Sequence, residues 1–269
     1  MQNNSSYERY NRYIEGASLY DFDNRSKVQD DIPFYVELAR ETTGLILELG
    51  CGTGRITIPI LKTGKTIYGL DDSLPMLDVL EEKISSLEKV FKDRLFIIKS
   101  QMSSFSIDKK FELIILPYST FQGLCNIKEI SGCFQSVRKH LTLGGSFVFS
   151  CFKPSEFLTQ TWVTKKERTD FIIYNDDGTK KIERKSINRK INTKSQIIYS
   201  DLFYYEYEDE RIKRMVSDKL RMKYYYPDQI EDIIATYGFY IVAKYGYFDK
   251  RSYDDESATQ MIFNISPKK

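Results

Sequence analysis

The 269-residue chain has a single histidine, His140, and only four cysteines, Cys51, Cys125, Cys133 and Cys151. No two cysteines have metal-ligand spacing. Their apolar settings lead us to expect buried, reduced thiols, a cytoplasmic location and no metal centre. No apolar run approaches the ~20 residues of a membrane span, so no membrane partner is expected. The opening Met1-Gln2-Asn3-Asn4-Ser5-Ser6 lacks the basic and apolar regions of a secretory signal, and none is expected. A net charge of +2 is too small for a nucleic-acid footprint over the whole molecule and leaves only a local patch for that class of partner. What remains is a globular composition, 41% hydrophobic and 29% charged. The length allows one large domain, or one domain with a sizeable insertion.

The chain is organised around Ile46-Leu47-Glu48-Leu49-Gly50-Cys51-Gly52-Thr53-Gly54-Arg55. Residues 45–49 read as a short, buried, central parallel strand. Gly50, Gly52 and Gly54 permit a sharp turn and a close approach of ligand to main chain. A helix is expected to start near Thr53, with its free N–H groups at the turn. A dinucleotide fingerprint needs glycine or alanine where this chain has Arg55, and the NAD-type reading fails there. Asp71, about 20 residues on and at the end of a strand over 66–70, stands where α/β nucleotide folds set a carboxylate against ribose hydroxyls. Ser73 is expected to cap the next helix, whose Leu77, Leu80, Ile84 and Leu87 share a core face.

Ahead of the turn, residues 7–24 interleave Tyr7, Tyr10, Tyr13, Tyr20 and Phe22 with Arg9 and Arg12. The segment reads as an amphipathic helix packed on the domain, or as a lid with Tyr20 and Asp21 nearest the site. A helix is expected over 26–43, with Ile32, Tyr35, Val36 and Ala39 on one face. Beyond the turn, strands are expected at 95–99 and 111–116. The second runs into Pro117-Tyr118-Ser119-Thr120-Phe121-Gln122 at the carboxyl edge of the sheet, where open α/β sheets hold ligands. A helix over 126–141 turns Ile130, Phe134, Val137 and Leu141 inward and carries His140 in its last turn, where a cation complements the helix dipole. A strand at 147–152 follows.

The pattern then changes to alternation at 171–174, 182–191, 197–207 and 212–224, with turn signals at Asp177-Gly178 and at 192–195. This reads as an antiparallel sheet inserted over 159–225. Its first half is basic, with Lys165, Lys166, Lys180, Lys181, Arg184 and Lys185 among the cations. Such a face guards exposed strand edges, caps a substrate or pairs with a second copy. The cap is the reading adopted, because an insertion at this point rises from the carboxyl edge. A helix at 227–237, with Pro227 in its first turn, and strands at 240–247 and 258–265 close the chain.

The acidic residue followed by G-x-G-x-G, Glu48 to Gly54, resembles the first motif of the class I S-adenosylmethionine-dependent methyltransferases. Leu19-Tyr20-Asp21 is similar to the Y-D pair that many small-molecule members carry at the same distance before that motif. Leu143-Gly144-Gly145 resembles their L-x-P-G-G turn, with Leu143 in place of proline. Where relatives often read D-M, this chain has Gln101-Met102; where base methyltransferases read N-P-P-Y or D-P-P-Y, it has Ile115-Leu116-Pro117-Tyr118, which argues against base methylation.

The likeness covers 45–152 and 227–265. It implies an α/β Rossmann-like fold, a seven-stranded mostly parallel sheet with helices on both faces, plus an inserted antiparallel β-sheet cap. The implied organisation is a lid and first helix over 1–43, a core over 44–158 and 226–269, and the cap over 159–225. The implied cofactor is S-adenosyl-L-methionine, and the implied reaction is methyl transfer to a small molecule at an amine or hydroxyl. By the resemblance, Glu48 and Gly50 hold the methionine end, Asp71 the ribose, and Met76, Gln101 and Met102 the adenine. Tyr20 and Tyr118 face the sulfonium, and Cys51, Gly52, Gly54, Asp72 and Pro117 complete the cofactor-contacting set. No residue is identified as a general base. Three alternatives stay open: nucleic-acid methylation, a non-catalytic cofactor-binding scaffold, and a homodimer formed through the inserted sheet.

Overall fold

The computed structural model describes residues 10–23, 25, 29–154, 156–175 and 178–268. Its central strand is β1 (Ile46–Leu49), every residue of which is buried. In parallel register on one side lies β2 (Ile67–Asp71), with Leu49 opposite Leu70, followed by β3 (Leu95–Lys99). On the other side lie β4 (Phe111–Leu116) and β5 (Leu141–Phe152), both parallel to β1. Two strands from the end of the chain complete the sheet. β11 (Gln260–Pro267) runs antiparallel to both β5 and β10 (Phe239–Tyr245), giving the spatial order β10-β11-β5-β4-β1-β2-β3. The order reverses at β1, so the crevice between the carboxyl ends of β1 and β4 is the topological switch point.

Period-two alternation sends successive strand residues to opposite layers. Leu47, Leu49, Tyr68, Leu70, Ile114 and Leu116 pack in one buried cluster, with Phe134 and Val137 of a helix over Ile127–His140 and Ile230 and Ile234 of one over Pro227–Thr236. Ile46, Ile67, Leu113 and Ile115 pack in the other, with Phe34, Tyr35 and Ala39 of α1 (Asp31–Glu41) and Ile60 and Leu61 of α2 (Thr57–Lys62). α3 (Leu74–Ser85) lays Leu77, Leu80 and Ile84 beside Cys51. In chain order, Ile127–His140 is α4 and Pro227–Thr236 is α5.

The inserted region is a four-stranded antiparallel meander of β6 (Arg168–Tyr174), β7 (Lys180–Asn192), β8 (Ile197–Glu208) and β9 (Arg211–Lys223). Gln122, fully buried after β4, accepts from Phe152 N (3.1 Å) and donates to the Lys223 carbonyl (3.1 Å). One side chain thus holds both junctions of the insertion against the switch-point loop.

Several expectations are corrected. The helix after the glycine turn begins at Thr57 rather than near Thr53. Gly50, Gly52 and Gly54 have φ of 69°, 52° and 84°, outside the helical region, so regular helix starts only past the third glycine. The helix expected over 26–43 spans Asp31–Glu41, and 26–28 lie outside the described residues. Ser73 occupies the N-cap position, but its hydroxyl donates to the Arg12 carbonyl and makes no cap hydrogen bond. His140 is not a dipole-matched cation. It is 1% exposed, its Nδ1 lies 2.6 Å from the Ser136 carbonyl, and its Nε2 accepts from Ile107 N at 2.9 Å. One ring nitrogen donates and the other accepts, which is the pattern of a neutral core imidazole. Ala17–Phe22 is a short 3₁₀ helix rather than an amphipathic α-helix. Tyr7, Arg9 and the turn residue Asp177 lie outside the described residues.

The basic half of the insertion divides by strand parity. Lys181 Nζ sits 3.7 Å from the Tyr207 ring centroid and Lys185 Nζ 5.1 Å from that of Tyr205, on the outer face. Arg184 points the other way, into the molecule.

Candidate functional site

β1 delivers Gly50 and Cys51 to the switch point, where both amides donate to the Leu70 carbonyl, at 2.7 and 3.0 Å. This pins the glycine turn to the end of β2 and brings Asp71 beneath it. The Asp71 carboxylate accepts from Gly52 N (2.9 Å) and Ser73 N (2.8 Å). Two backbone donors leave a carboxylate further lone pairs, so Asp71 still has acceptor capacity for a vicinal diol. Burial raises its pKa to about 6, against the pull of those two N–H groups. A side chain at Gly52 would stand 3.0 Å from Met76 Cε, so the turn and Met76 close on each other. Asp72 is held by Arg12 at 3.4 Å, and its pKa is raised by burial.

Glu48 lies buried on β1, two residues before Gly50. It is 2% exposed, accepts a 2.6 Å hydrogen bond from the Thr57 hydroxyl, and burial lifts its pKa to about 8. The Thr57 hydroxyl and the Arg55 guanidinium pull the other way, and burial prevails.

Above the turn the site is aromatic. Pro117 is buried and ends β4; Tyr118 and Ser119 then take φ of 52° and 58°. Two successive non-glycine residues in the left-handed region are costly, and such strain concentrates at binding sites. The Tyr118 ring lies under the Arg55 guanidinium, 4.8 Å from its centroid. Arg55 is itself fixed by a two-pronged ion pair with Asp31, which is 0% exposed; the Nη2 to Oδ2 distance is 2.7 Å. Tyr20 comes from the N-terminal segment. Burial pushes its phenol pKa well up, and Tyr118 and Arg55 are its strongest electrostatic neighbours. The next residue, Asp21, accepts from Thr53 Oγ1 (2.7 Å) and Lys83 Nζ (2.7 Å), fastening this segment to the glycine turn and to α3.

Of the expected residues, the fold gathers Gly50, Cys51, Gly52, Gly54, Asp71, Asp72 and Met76 around one turn, with Tyr20, Pro117 and Tyr118 over it. Met102 is half-buried and reaches toward Gly123. Gln101 is exposed, and no hydrogen bond ties its side chain to the cluster among the described residues. Sequence reasoning missed Asp31, Thr53, Tyr13 and the pair Arg184–Tyr204. Arg55 had been read only as a broken fingerprint, although an arginine in a tight glycine turn is itself a signal that a buried carboxylate waits elsewhere. Two surface depressions, one around Ile107–Lys110 and His140 and one around Leu143, Tyr240 and Lys268, open on the opposite, amino edge of the sheet.

Comparison with known proteins gives a consistent result. A family model described as a methyltransferase domain matches residues 46–145. The chain is 28% identical over 117 residues to the cypemycin N-terminal methyltransferase of a Streptomyces species, covering 42% of this chain and 43% of that protein. It is 28% identical over 160 residues to the putative methyltransferase YqeM of Bacillus subtilis, covering 58% of this chain and 63% of that one. The matches thus span under two thirds of these two relatives. Among solved structures, the CcbJ methyltransferase of Streptomyces caelestis superposes with a TM-score of 0.75 at 19% identity, over 97% of this chain and 99% of that one. An S-adenosylmethionine-dependent methyltransferase of Clostridium acetobutylicum superposes with a TM-score of 0.74 at 19% identity, over 94% and 98%.

Proposed function

We propose that the chain is a class I S-adenosylmethionine-dependent methyltransferase, in keeping with the methyltransferase-domain match over residues 46–145, that binds S-adenosylmethionine at the glycine turn and methylates a small-molecule amine. The observation that carries this reading is the aromatic seat over the turn. Tyr118, held under Arg55, and Tyr20, fastened through Asp21 to Thr53, present ring faces beside the carboxylates of the turn. Aromatic faces attract organic cations, and the cofactor is a sulfonium. A dinucleotide fingerprint would instead have glycine or alanine where this chain has Arg55.

The residues fit the cofactor. Asp71 retains lone pairs for the ribose diol, Met76 and Met102 flank the place for the adenine, and Glu48 and the Gly50 backbone underlie the methionine end. The bound cofactor supplies an electrophilic methyl group, open to in-line attack by a nucleophile. This chain's own contribution is positioning and the exclusion of water. No side chain is assigned as general base: His140 is excluded, because both its nitrogens are committed in the core. An amine that arrives neutral needs only somewhere to shed a proton. Nitrogen is favoured because the methylated product is again a cation that the tyrosine faces suit, and because the cypemycin relative is named for an N-terminal amine. The nucleic-acid reading loses ground, since cations of the insertion are committed to tyrosine rings and to partners such as Asp201, 2.7 Å from Arg189.

Calorimetric titration of ligand-stripped protein with S-adenosylmethionine, S-adenosylhomocysteine and NAD tests the cofactor. Micromolar binding of the first two and none of NAD is expected, followed by radiolabelled methyl transfer to members of a small-amine panel. Absence of adenosyl binding would reject the proposal.

A further inference from the structure

Residues 10–23 form a strap that crosses the proposed site from end to end. A Cβ at Gly123 would stand 3.5 Å from both Asn11 Nδ2 and Met102 Cε, so the strap begins beside the place for the adenine. It passes Asp72 at Arg12 and reaches Thr53 of the glycine turn at Asp21. Its two sides are fastened differently. Toward the inserted sheet, Asn11 lies along the edge strand β9. Its N–H donates to the Lys219 carbonyl (3.0 Å), and its side chain donates to the Arg221 carbonyl (2.8 Å) and accepts from Arg221 N (2.9 Å). Glu15 N and Gly16 N donate to the carboxylate of Asp218, also on β9 and 6% exposed. Leu19 packs with Phe171 and Tyr204 in one buried cluster, and the buried Asp23 pairs with Arg184 of β7 at 3.1 Å.

Toward the core, the ion pairs are accessible to water. Arg12 meets Asp72 at 3.4 Å with side chains 35% and 34% exposed, and Lys83 meets Asp21 at 2.7 Å with side chains 32% and 37% exposed. The hydroxyls of Thr53 and Ser73 add one hydrogen bond each, to Asp21 and to the Arg12 carbonyl. Exposed ion pairs hold weakly, whereas parting a buried one strands an uncompensated charge. The weaker seam therefore runs between strap and core, and the stronger one between strap and sheet. We propose that the strap and the inserted sheet move as one body, and that this body opens along the Arg12–Asp72 and Asp21–Lys83 seam to admit and release the cofactor. Its pivot is Gln122, whose side chain holds both junctions of the insertion. The inference rests on the methyltransferase reading for what passes the seam, and adds how it passes.

Two measurements test it. Amide hydrogen exchange of ligand-stripped wild type, with and without S-adenosylhomocysteine, is read by mass spectrometry on peptides spanning residues 11–16. The N–H groups of Asn11, Glu15 and Gly16 stay bonded to β9 when the body opens, so their exchange is expected to be slow and equal within about twofold in both conditions. Exchange about tenfold faster without ligand would mean that the strap peels from the sheet, and would overturn the proposal. The second measurement is surface plasmon resonance of S-adenosylhomocysteine on wild type and on the double variant Arg12→Met, Lys83→Met, which removes the cation from each exposed pair. Association and dissociation are both expected to quicken about three- to tenfold, with their ratio unchanged within about twofold. Faster dissociation alone would make the pairs ligand contacts, and unchanged rates would leave the seam without a function; either result overturns the proposal. Failure of the wild type to bind S-adenosylhomocysteine would instead remove the methyltransferase reading, and this inference with it.

Discussion

Arg55 and Tyr118 are stacked, guanidinium over ring at 4.8 Å, and the arginine that does this is locked to a carboxylate from which water is excluded. Asp31 belongs to α1, Arg55 to the glycine turn and Tyr118 to the loop after β4. The pair thus ties three separate pieces of chain to the floor of the site. Arg55→Met leaves Asp31 buried and uncompensated and should destabilise the fold by about 3–5 kcal/mol. Combining it with Asp31→Asn should recover much of that loss. Urea unfolding of both variants measures it, and a double mutant no more stable than the single one would refute the pairing energy.

Asp71→Ala removes the acceptor assigned to the ribose. It should weaken S-adenosylhomocysteine binding by about 1.5–3 kcal/mol, a single charge-assisted bond. Calorimetry on protein with an unchanged circular dichroism spectrum gives the answer, and unaltered affinity would withdraw the assignment.

Glu48 predicts an unusual pH dependence. Its folded pKa, raised by burial to about 8 from an ordinary 4.5, lies above its unfolded one. Between those values the folded state holds the extra proton, so stability is fully present below about pH 4.5 and is lost as pH rises toward 8. The ligand-free wild type should therefore lose stability between pH 5 and pH 8, on the order of a few kcal/mol from this group. Glu48→Gln should lose much less. Equal losses in urea midpoints would show that Glu48 does not titrate in this range.

His140→Ala separates structure from chemistry. It abolishes two buried hydrogen bonds and opens a cavity, and should cost about 2–4 kcal/mol of stability. Cofactor affinity and methyl transfer should be unchanged below the melting transition. Loss of turnover without loss of stability would contradict this structural role and point to a part in catalysis.

The contrast between these residues shows what a sequence discloses. β1, the place of Asp71 at the end of β2 and the four strands of the insertion were legible because each follows from local periodicity and turn chemistry: apolar runs bounded by glycine, and alternation broken at turn residues. The start of α2 was misplaced because positive φ at Gly54 delays the helix, a conformational fact that glycine permits without announcing. Asp31 was not legible at all. Its significance is a partner held across the tertiary fold, Arg55, and no short window of sequence contains it.

The N-terminal segment has a further consequence. Glu15 N and Gly16 N both donate to the carboxylate of Asp218, at 3.1 and 2.8 Å, across 203 and 202 positions of chain. A side chain at Gly16 would lie 2.5 Å from Asp218 and 2.7 Å from the Tyr204 ring, so the fit admits glycine and little else. During synthesis this segment leaves the ribosome well ahead of its anchor, which emerges only after the parallel strands through β5 and nearly all of the inserted meander have been made. Loop closure on that scale is among the slowest contacts a chain forms. The nascent protein therefore has its glycine turn in place before Asp218 can anchor residues 15 and 16 beside it.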